Sequence, residues 1–334
     1  MQVVFRKLRK YLSGELLVIL RKSGYNIVIR SLQMTFKSFD GKEIYVYEWT
    51  VVQNPKGVVQ IIHGMAEHAG RYEAFARYLN ANGYIVVADD HRGHGRTDEN
   101  SLGYSKGDMF ENTLKDESEI TKYFQKKYAG LNYFIFGFSY GSFLAQSYLA
   151  RYGSKIDGAV LAGSNYKKDF EIYMGSMISG AACLAGMAKK PSKFLKERSF
   201  DVWAKKFGDG QWWSIDPENN KRYAQDPLCG FTYSYRFYKD LFKGLRKLYT
   251  RKYRNHLRKD LPLLLVSGKH DAVGEMGEGV KKLAKFYREK AGVKNVEVVL
   301  FERSRHDFLN EQLNQEMKRE TVKDFFDKIC EETF

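Results

Sequence analysis

The chain has 334 residues, 43% of them hydrophobic and only 5 of them proline, with a formal net charge of +15 at pH 7. Such a length and composition exclude a disordered, collagenous or low-complexity protein and fit one large globular unit or a domain that carries an insertion. The 3 cysteines, Cys183, Cys229 and Cys330, are too few and too scattered for a disulfide framework or a zinc motif. A reducing, cytoplasmic setting is therefore expected, with no metal and no cofactor.

The basic excess sits in two stretches, residues 1–33 and 165–258, and the rest of the chain is near neutral. Nothing has the form of a helix-turn-helix, an RNA-binding sheet or a zinc finger, so no nucleic-acid partner is expected. On a helical wheel Val4, Phe5, Leu8, Tyr11 and Leu12 fall on one side, and Arg6, Lys7, Arg9 and Lys10 on the other. That pattern predicts a short basic amphipathic helix in peripheral contact with an anionic membrane surface. The apolar run Leu16–Leu20 stops at Arg21, too soon for a membrane span or a signal peptide. The other reading of residues 1–33 is that translation starts at Met34.

From Met34 the pattern is regular. Met34–Phe39 and Ile44–Val52 flank Asp40-Gly41 and predict a β-hairpin. Gly57–Ile62 is a buried strand, Tyr72–Asn80 a helix, Tyr84–Ala88 a strand and Glu111–Tyr128 a helix. Strands follow at Tyr133 and at Ile156–Ala162. After an aromatic, basic block, alternation resumes with Pro262–Val266, Gly277–Lys290, Val296–Phe301 and a last helix near Gln312–Ile329. Strands alternating with helices predict an α/β fold, a mostly parallel central sheet with helices on both faces. The expected division is an N-terminal extension over 1–33, a core over 34–164 and 259–334, and an inserted helical cap over 165–258, lying above the carboxyl ends of the strands.

Residues 132–146, NYFIFGFSYGSFLAQ, read as strand, sharp turn and helix, with Ser139 between two glycines. That is the G-x-S-x-G elbow in the context that gives it meaning: a strained turn lifts the hydroxyl clear of the sheet. Without partners it would be an ordinary glycine-rich turn. A serine hydroxyl needs an imidazole to take its proton, and the imidazole needs a carboxylate to hold its tautomer. In this architecture the chain order is serine, acid, histidine. Asp271 lies just past the strand Pro262–Val266, and His306 lies just past Val296–Phe301, the one histidine after it. The oxyanion needs two N–H donors. Tyr140, after the nucleophile, and Met65, in the loop opened by His63-Gly64, are placed to supply them from the backbone. His68, His91 and His94 match no zinc spacing and read as loop scaffolding.

HGMAEHAGRY, ADDHRGHGRT, GFSYGS, SGKHDAVG and RSRHDFLNE, in this order, resemble the α/β-hydrolase superfamily. More narrowly they resemble the branch of monoacylglycerol lipases, lysophospholipases and serine aminopeptidase-type hydrolases. The resemblance runs from about Met34 to the C-terminus and is weakest in the cap. It implies the α/β-hydrolase fold with Ser139, Asp271 and His306 as triad and Met65 and Tyr140 as oxyanion donors, in agreement with the reading above. Ala272 departs from the family, where proline is common after the acid.

The cap holds the apolar stretch Met174–Met187, read as a buried or pocket-lining helix, and aromatic residues including Trp203, Trp212, Trp213, Tyr233 and Phe237. Together they predict a small acyl ester as substrate, of monoacylglycerol or lysophospholipid type, cleaved through an acyl-enzyme. The alternatives are an aminopeptidase or a short-chain or aryl esterase of the same fold, or a non-catalytic binding protein. An aminopeptidase needs acids to hold a free amine, for which Glu67, Asp169 and Glu171 are the candidates. Dehalogenase or epoxide-hydrolase chemistry is disfavoured, since both would put aspartate where Ser139 stands. Oligomeric state has no signature in the sequence.

Overall fold

A computed structural model describes residues 31–332, apart from 168–169, 199–204 and 206. The amphipathic stretch Val4–Leu12, Asp169 and Trp203 lie outside the described residues. The chain opens with two strands, β1 (Leu32–Lys37) and β2 (Glu43–Trp49), paired antiparallel with Phe36 opposite Ile44. The first strand ends before Ser38, earlier than expected, because residues 38–42 form the turn: Ser38 N–H donates to Lys42 O and Gly41 N–H to Ser38 O, both at 2.9 Å. It also begins earlier. Leu32 and Gln33 pair with Glu48 and Tyr47, so the sheet starts inside the segment read as an extension.

Then come β3 (Gly57–Ile62), α1 (Glu73–Ala81), β4 (Tyr84–Asp89), α2 (Met109–Lys127), β5 (Asn132–Phe138), α3 (Tyr140–Tyr152) and β6 (Gly158–Ala162). Asp108 caps α2 by accepting the Glu111 N–H at 3.1 Å, which starts the helix two residues before the expected Glu111. After β6 the chain leaves the sheet for α4 (Phe170–Leu184), α5 (Lys193–Lys196), α6 (Pro217–Gln225), α7 (Tyr235–Leu245) and α8 (Arg251–His256). It returns with β7 (Leu263–Gly268), α9 (Glu278–Lys285), β8 (Val296–Phe301) and α10 (Gln315–Glu332).

The strand order is β1-β2-β4-β3-β5-β6-β7-β8, antiparallel among β1, β2 and β4 and parallel from β4 to β8. Strands β3, β4, β6 and β7 are buried along their whole length. They are covered on both faces, which is why they read as continuous apolar runs rather than alternating ones. This is the α/β-hydrolase fold. No described helix is long and apolar enough to cross a membrane.

Between β6 and β7 the helices hold together by a narrower contact. Helix α4 turns Ile172, Gly175, Ser179 and Ala182 inward, and a Cβ at Gly175 would lie 2.4 Å from the Phe242 ring of α7. That stripe of small residues permits a close crossing but covers only one side of the helix. Met174, Met177 and Leu184 on the other side are exposed, so of the two readings of this stretch, buried or pocket-lining, the buried one fails along that face.

Candidate active site

The carboxyl ends of β3, β5, β6, β7 and β8 meet along one rim, and each supplies a piece. At the end of β5 the backbone turns through Ser139 at φ 53 and ψ −117, a left-handed conformation that costs a non-glycine residue about 1–3 kcal/mol. The turn is held by the Ser139 N–H, which donates to Ala162 O of β6 at 2.9 Å. Both flanking glycines are required by space. A Cβ at Gly141 would lie 1.9 Å from Ile62 O, and one at Gly137 would lie 2.6 Å from Gly141 O. Helix α3 can therefore start directly against the end of β3, with Ser139 half-buried at its N-terminus.

Past β7, Asp271 is fully buried, and its carboxylate accepts three donors: Ser267 Oγ–H at 2.7 Å, Val273 N–H at 2.8 Å and His306 Nδ1–H at 2.9 Å. The turn keeps this geometry with Ala272 in place of a proline, because Asp271 N–H donates to Gly268 O and Met276 N–H to Asp271 O. Past β8, the His306 ring is fully buried, with its centroid 4.8 Å from that of Phe138, the residue before Ser139. A Cβ at Gly163 of the β6 rim would lie 2.9 Å from His306 Cε1. With Nδ1 committed to Asp271, Nε2 is the free nitrogen, and it has no hydrogen-bond partner among the described residues. An imidazole fixed in one tautomer with an unused nitrogen is what a general base requires.

The third piece is the loop after β3. Gly64 approaches the serine so closely that a Cβ there would lie 3.3 Å from Ser139 Cβ. Gly64 N–H donates to Glu67 Oε1 at 2.6 Å, and Gly64 O accepts from His63 Nδ1–H at 2.8 Å. The Gly64–Met65 peptide is thus pinned by its carbonyl, and the Met65 N–H finds no acceptor among the described residues. Tyr140 is the first residue of α3, so its N–H likewise has no partner within the helix. Ser139 N–H, spent on Ala162, is not available as a donor.

Beneath this loop His63 stacks on His91 at 3.7 Å, and His91 Nδ1 faces Asp89 at 3.1 Å and Glu117 at 3.2 Å. Burial holds the His63 imidazole well below its ordinary pKa and the Glu117 carboxyl well above its own, with Asp89 adding to the latter. Among the described residues two clusters carry metal-type donors, and neither fits an ion well. Asp89, His91 and Glu117 are wholly buried with their donors turned on one another. His68, Asp226 and Cys229 lie within 4.8 Å, but His68 Nε2 is hydrogen-bonded to Asp226 at 2.9 Å and burial pushes the Cys229 thiol far above its usual range. In the fold these residues tie the loops to one another and to the insertion.

Arg71 and Asn219 shape the site without having been singled out from the sequence, and Trp212 and Trp213 were read there only as aromatics of the cap. Arg71 pairs with Glu67 and, at 2.8 Å, with Asp307, which also accepts from Trp213 Nε1–H at 3.1 Å and Asn219 Nδ2–H at 2.9 Å. Trp212 and Trp213 from the insertion flank the His306 ring at 5.5 and 5.3 Å. The one signal that pointed at Arg71 was its place in HGMAEHAGRY. Of the candidate amine-binding acids, Glu67 is buried and bound by Gly64, Arg71 and Tyr72, while Glu171 is exposed on α4.

A family model described as serine aminopeptidase, S33, matches residues 53–313. A monoacylglycerol lipase of Mycolicibacterium smegmatis is 34% identical over 136 residues, 39% of this chain and 45% of that protein. The human monoglyceride lipase is 34% identical over 106 residues, 32% of this chain and 34% of that protein. The chain thus spans less than half the length of these two relatives. Among solved structures, a carboxyl esterase from Bacillus coagulans in complex with glycerol superposes with a TM-score of 0.82 at 25% identity, over 91% of this chain and 100% of that one.

Proposed function

The chain belongs to the serine aminopeptidase S33 family, and on that footing we propose that it is a serine carboxylic-ester hydrolase acting on monoacylglycerol- or lysophospholipid-type esters. The observation that carries the reading is the buried Asp271–His306 pair with its free Nε2 behind a serine held in a left-handed turn. In the proposed cycle His306 Nε2 takes the Ser139 Oγ proton as Oγ attacks the ester carbonyl. The Met65 and Tyr140 N–H groups hold the oxyanion. His306 returns the proton to the leaving alcohol, and water, activated by the same nitrogen, releases the acid from the acyl-enzyme.

Glycerol-ester specificity is favoured by the names of the relatives, two of them lipases of monoacylglycerols, and by the glycerol held by the esterase structure. The acyl chain is proposed to lie beneath the insertion, where Trp212 and Phe138 offer apolar surface beside His306. The aminopeptidase reading is disfavoured because Glu67 is consumed by its own hydrogen bonds. A peripheral membrane contact is proposed as well, through the apolar outer face of α4 in a basic part of the chain, along with a cytoplasmic location that leaves the three cysteines free.

The test is covalent labelling with a fluorophosphonate probe, together with turnover of p-nitrophenyl esters, monoacylglycerol, lysophosphatidylcholine and aminoacyl-anilides. Wild type should be labelled and Ser139→Ala should not. Equal labelling of the two would overturn the assignment, and turnover confined to the anilides would overturn the substrate class.

A further inference from the structure

We infer that Tyr233, a residue of the insertion, is a positioning residue for the oxyanion loop, through a directed hydrogen-bond relay from Ala66 N–H to Tyr233 O–H to His94 to Arg92 C=O. The inference rests on the proposed role of Met65 as oxyanion donor. Met65 stands one residue before Ala66, which is held at φ 52, an uncommon conformation for alanine. A turn of this kind keeps its shape only if its neighbours over-determine it.

The insertion supplies those neighbours. Ala66 N–H donates to Tyr233 Oη, while Ala66 O accepts from Gly230 N–H at 2.9 Å and from Tyr223 Oη–H at 3.0 Å. Both sides of the alanine are therefore clamped by residues distant in sequence.

The direction of the relay follows from elimination. Arg92 O can only accept, and it lies 2.9 Å from His94 Nδ1, so Nδ1 carries the ring proton. His94 Nε2 is then an acceptor, and Tyr233 Oη, 2.6 Å away, must donate to it. With its own proton so used, Tyr233 oxygen is free to accept from Ala66. Every group in the chain is satisfied, and each permits one arrangement. Burial lowers the His94 imidazole to about 3 and raises the Tyr233 phenol well above its ordinary value, so neither end of the relay titrates near neutrality. The Tyr233 ring is stacked on Phe237 at 3.8 Å, and Tyr233 O accepts from Ser192 N–H at 2.8 Å, so the hydroxyl is carried on a rigid support. The proton of the relay does no chemistry. Its role is to fix the Met65–Ala66 peptide, and with it the direction of the neighbouring Met65 N–H. A displacement of Tyr233 would then reach the oxyanion site through Ala66, by a route separate from the Trp212 and Trp213 contacts to His306.

Tyr233→Phe removes one oxygen and keeps the stacked ring. Rates per labelled active site, measured by fluorophosphonate titration, should show kcat for a short-chain p-nitrophenyl ester lower by about tenfold or more, below the loss for deleting an oxyanion donor outright. KM should stay within about twofold. Affinity for an aryl boronic acid, which forms a tetrahedral adduct at the serine, should fall in parallel with kcat/KM. A merely structural role would lower the labelled fraction and the melting point, not the boronate affinity per labelled site. A second pair of variants covers misfolding of the first. His94→Gln keeps an acceptor for Tyr233 and should retain most activity, whereas His94→Leu should match Tyr233→Phe. Wild-type kcat and boronate affinity in Tyr233→Phe, or equal values in the two His94 variants, would overturn the relay. Wild type that escapes the probe would instead overturn the hydrolase reading itself, so the two failures are told apart.

Discussion

The rim of the sheet and the inserted helices solve the same problem, holding side chains in place, by different means. On the rim, position comes from the backbone. Strands β5, β6, β7 and β8 lie side by side in register, and Ser139, Asp271 and His306 stand in the turns just past the ends of β5, β7 and β8. In the insertion it comes from side chains reaching across sequence distance, such as Tyr233 to Ala66 and Trp213 to Asp307. The difference teaches where each kind of change is tolerated. Backbone register is indifferent to most surface substitutions and intolerant of a single methyl at the elbow. The insertion accepts change on its outer face and depends on a few hydroxyl, indole and guanidinium contacts inside.

The largest expected effect lies at the rim. Asp271→Asn leaves the volume unchanged but turns one oxygen that accepts from His306, Val273 or Ser267 into a donor. In a serine triad the corresponding loss of tautomer control lowers kcat by roughly 10⁴, with the fold retained. Ester turnover together with near-UV circular dichroism checks this, and a loss of tenfold or less would mean that the aspartate does not set the imidazole. Next in size is Gly141→Ala. Its Cβ would stand 1.9 Å from Ile62 O, so α3 must separate from β3. We expect destabilisation of about 1–3 kcal/mol or more in urea unfolding, with loss of probe labelling. The same change at half-buried Gly180 of α4, which has open space at its Cβ position, should be neutral or slightly stabilising. Equal effects at the two glycines would erase the contrast between the regions.

That contrast also explains what could be read from the sequence. Buried parallel strands announce themselves as apolar runs, and their ends place the loops, so the sheet and the positions of Ser139, Asp271 and His306 were legible in the spacing alone. Boundaries slipped where a polar side chain or a turn decides them, as at Asp108 before α2 and at Ser38 after β1. Tyr233 was visible only as one aromatic among many, because a hydroxyl bond across more than 160 residues leaves no periodic trace. The face of α4 was misread for a related reason. An apolar run of fourteen residues looks buried on composition, yet the buried side is the narrow face of Ile172, Gly175, Ser179 and Ala182, with Gly175 set against Phe242.

A smaller effect separates the regions by pH. His63 and His94 are buried and neutral in the folded protein, with His94 lowered to about 3, while both charge near their ordinary 6.5 when unfolded. Their contributions are therefore complete above about pH 6.5 and are lost as pH falls below it, for His94 down to about 3. Each adds a slope of at most about 1.4 kcal/mol per pH unit within that window. His94→Gln removes one of these groups, so its unfolding free energy between pH 6 and pH 4 should fall less steeply than that of wild type. Parallel curves would show that His94 is not kept neutral by the fold.

The smallest effect on the enzyme itself should come from the outer face of α4, where Met177 is 68% and Leu184 91% exposed. Neither makes a core contact, so replacing both with aspartate should leave stability and hydrolysis of a soluble short-chain ester nearly unchanged. The consequence should appear only at a lipid surface. Burying a methionine or leucine side chain contributes roughly 1.5–3 kcal/mol, so losing two of them is enough to lower vesicle binding by tenfold or more. Adding two negative charges in a basic part of the chain weakens attraction to anionic lipid as well, and that part alone should fade as salt rises. Sedimentation with anionic and with neutral vesicles, at low and high salt, separates the apolar from the electrostatic share. If the double substitution left binding intact on both, α4 would not be the face that meets the membrane. If it slowed the soluble ester as strongly as the vesicle-bound one, α4 would belong to the acyl site, and the line drawn between a chemical rim and a tolerant outer face would have to move inward.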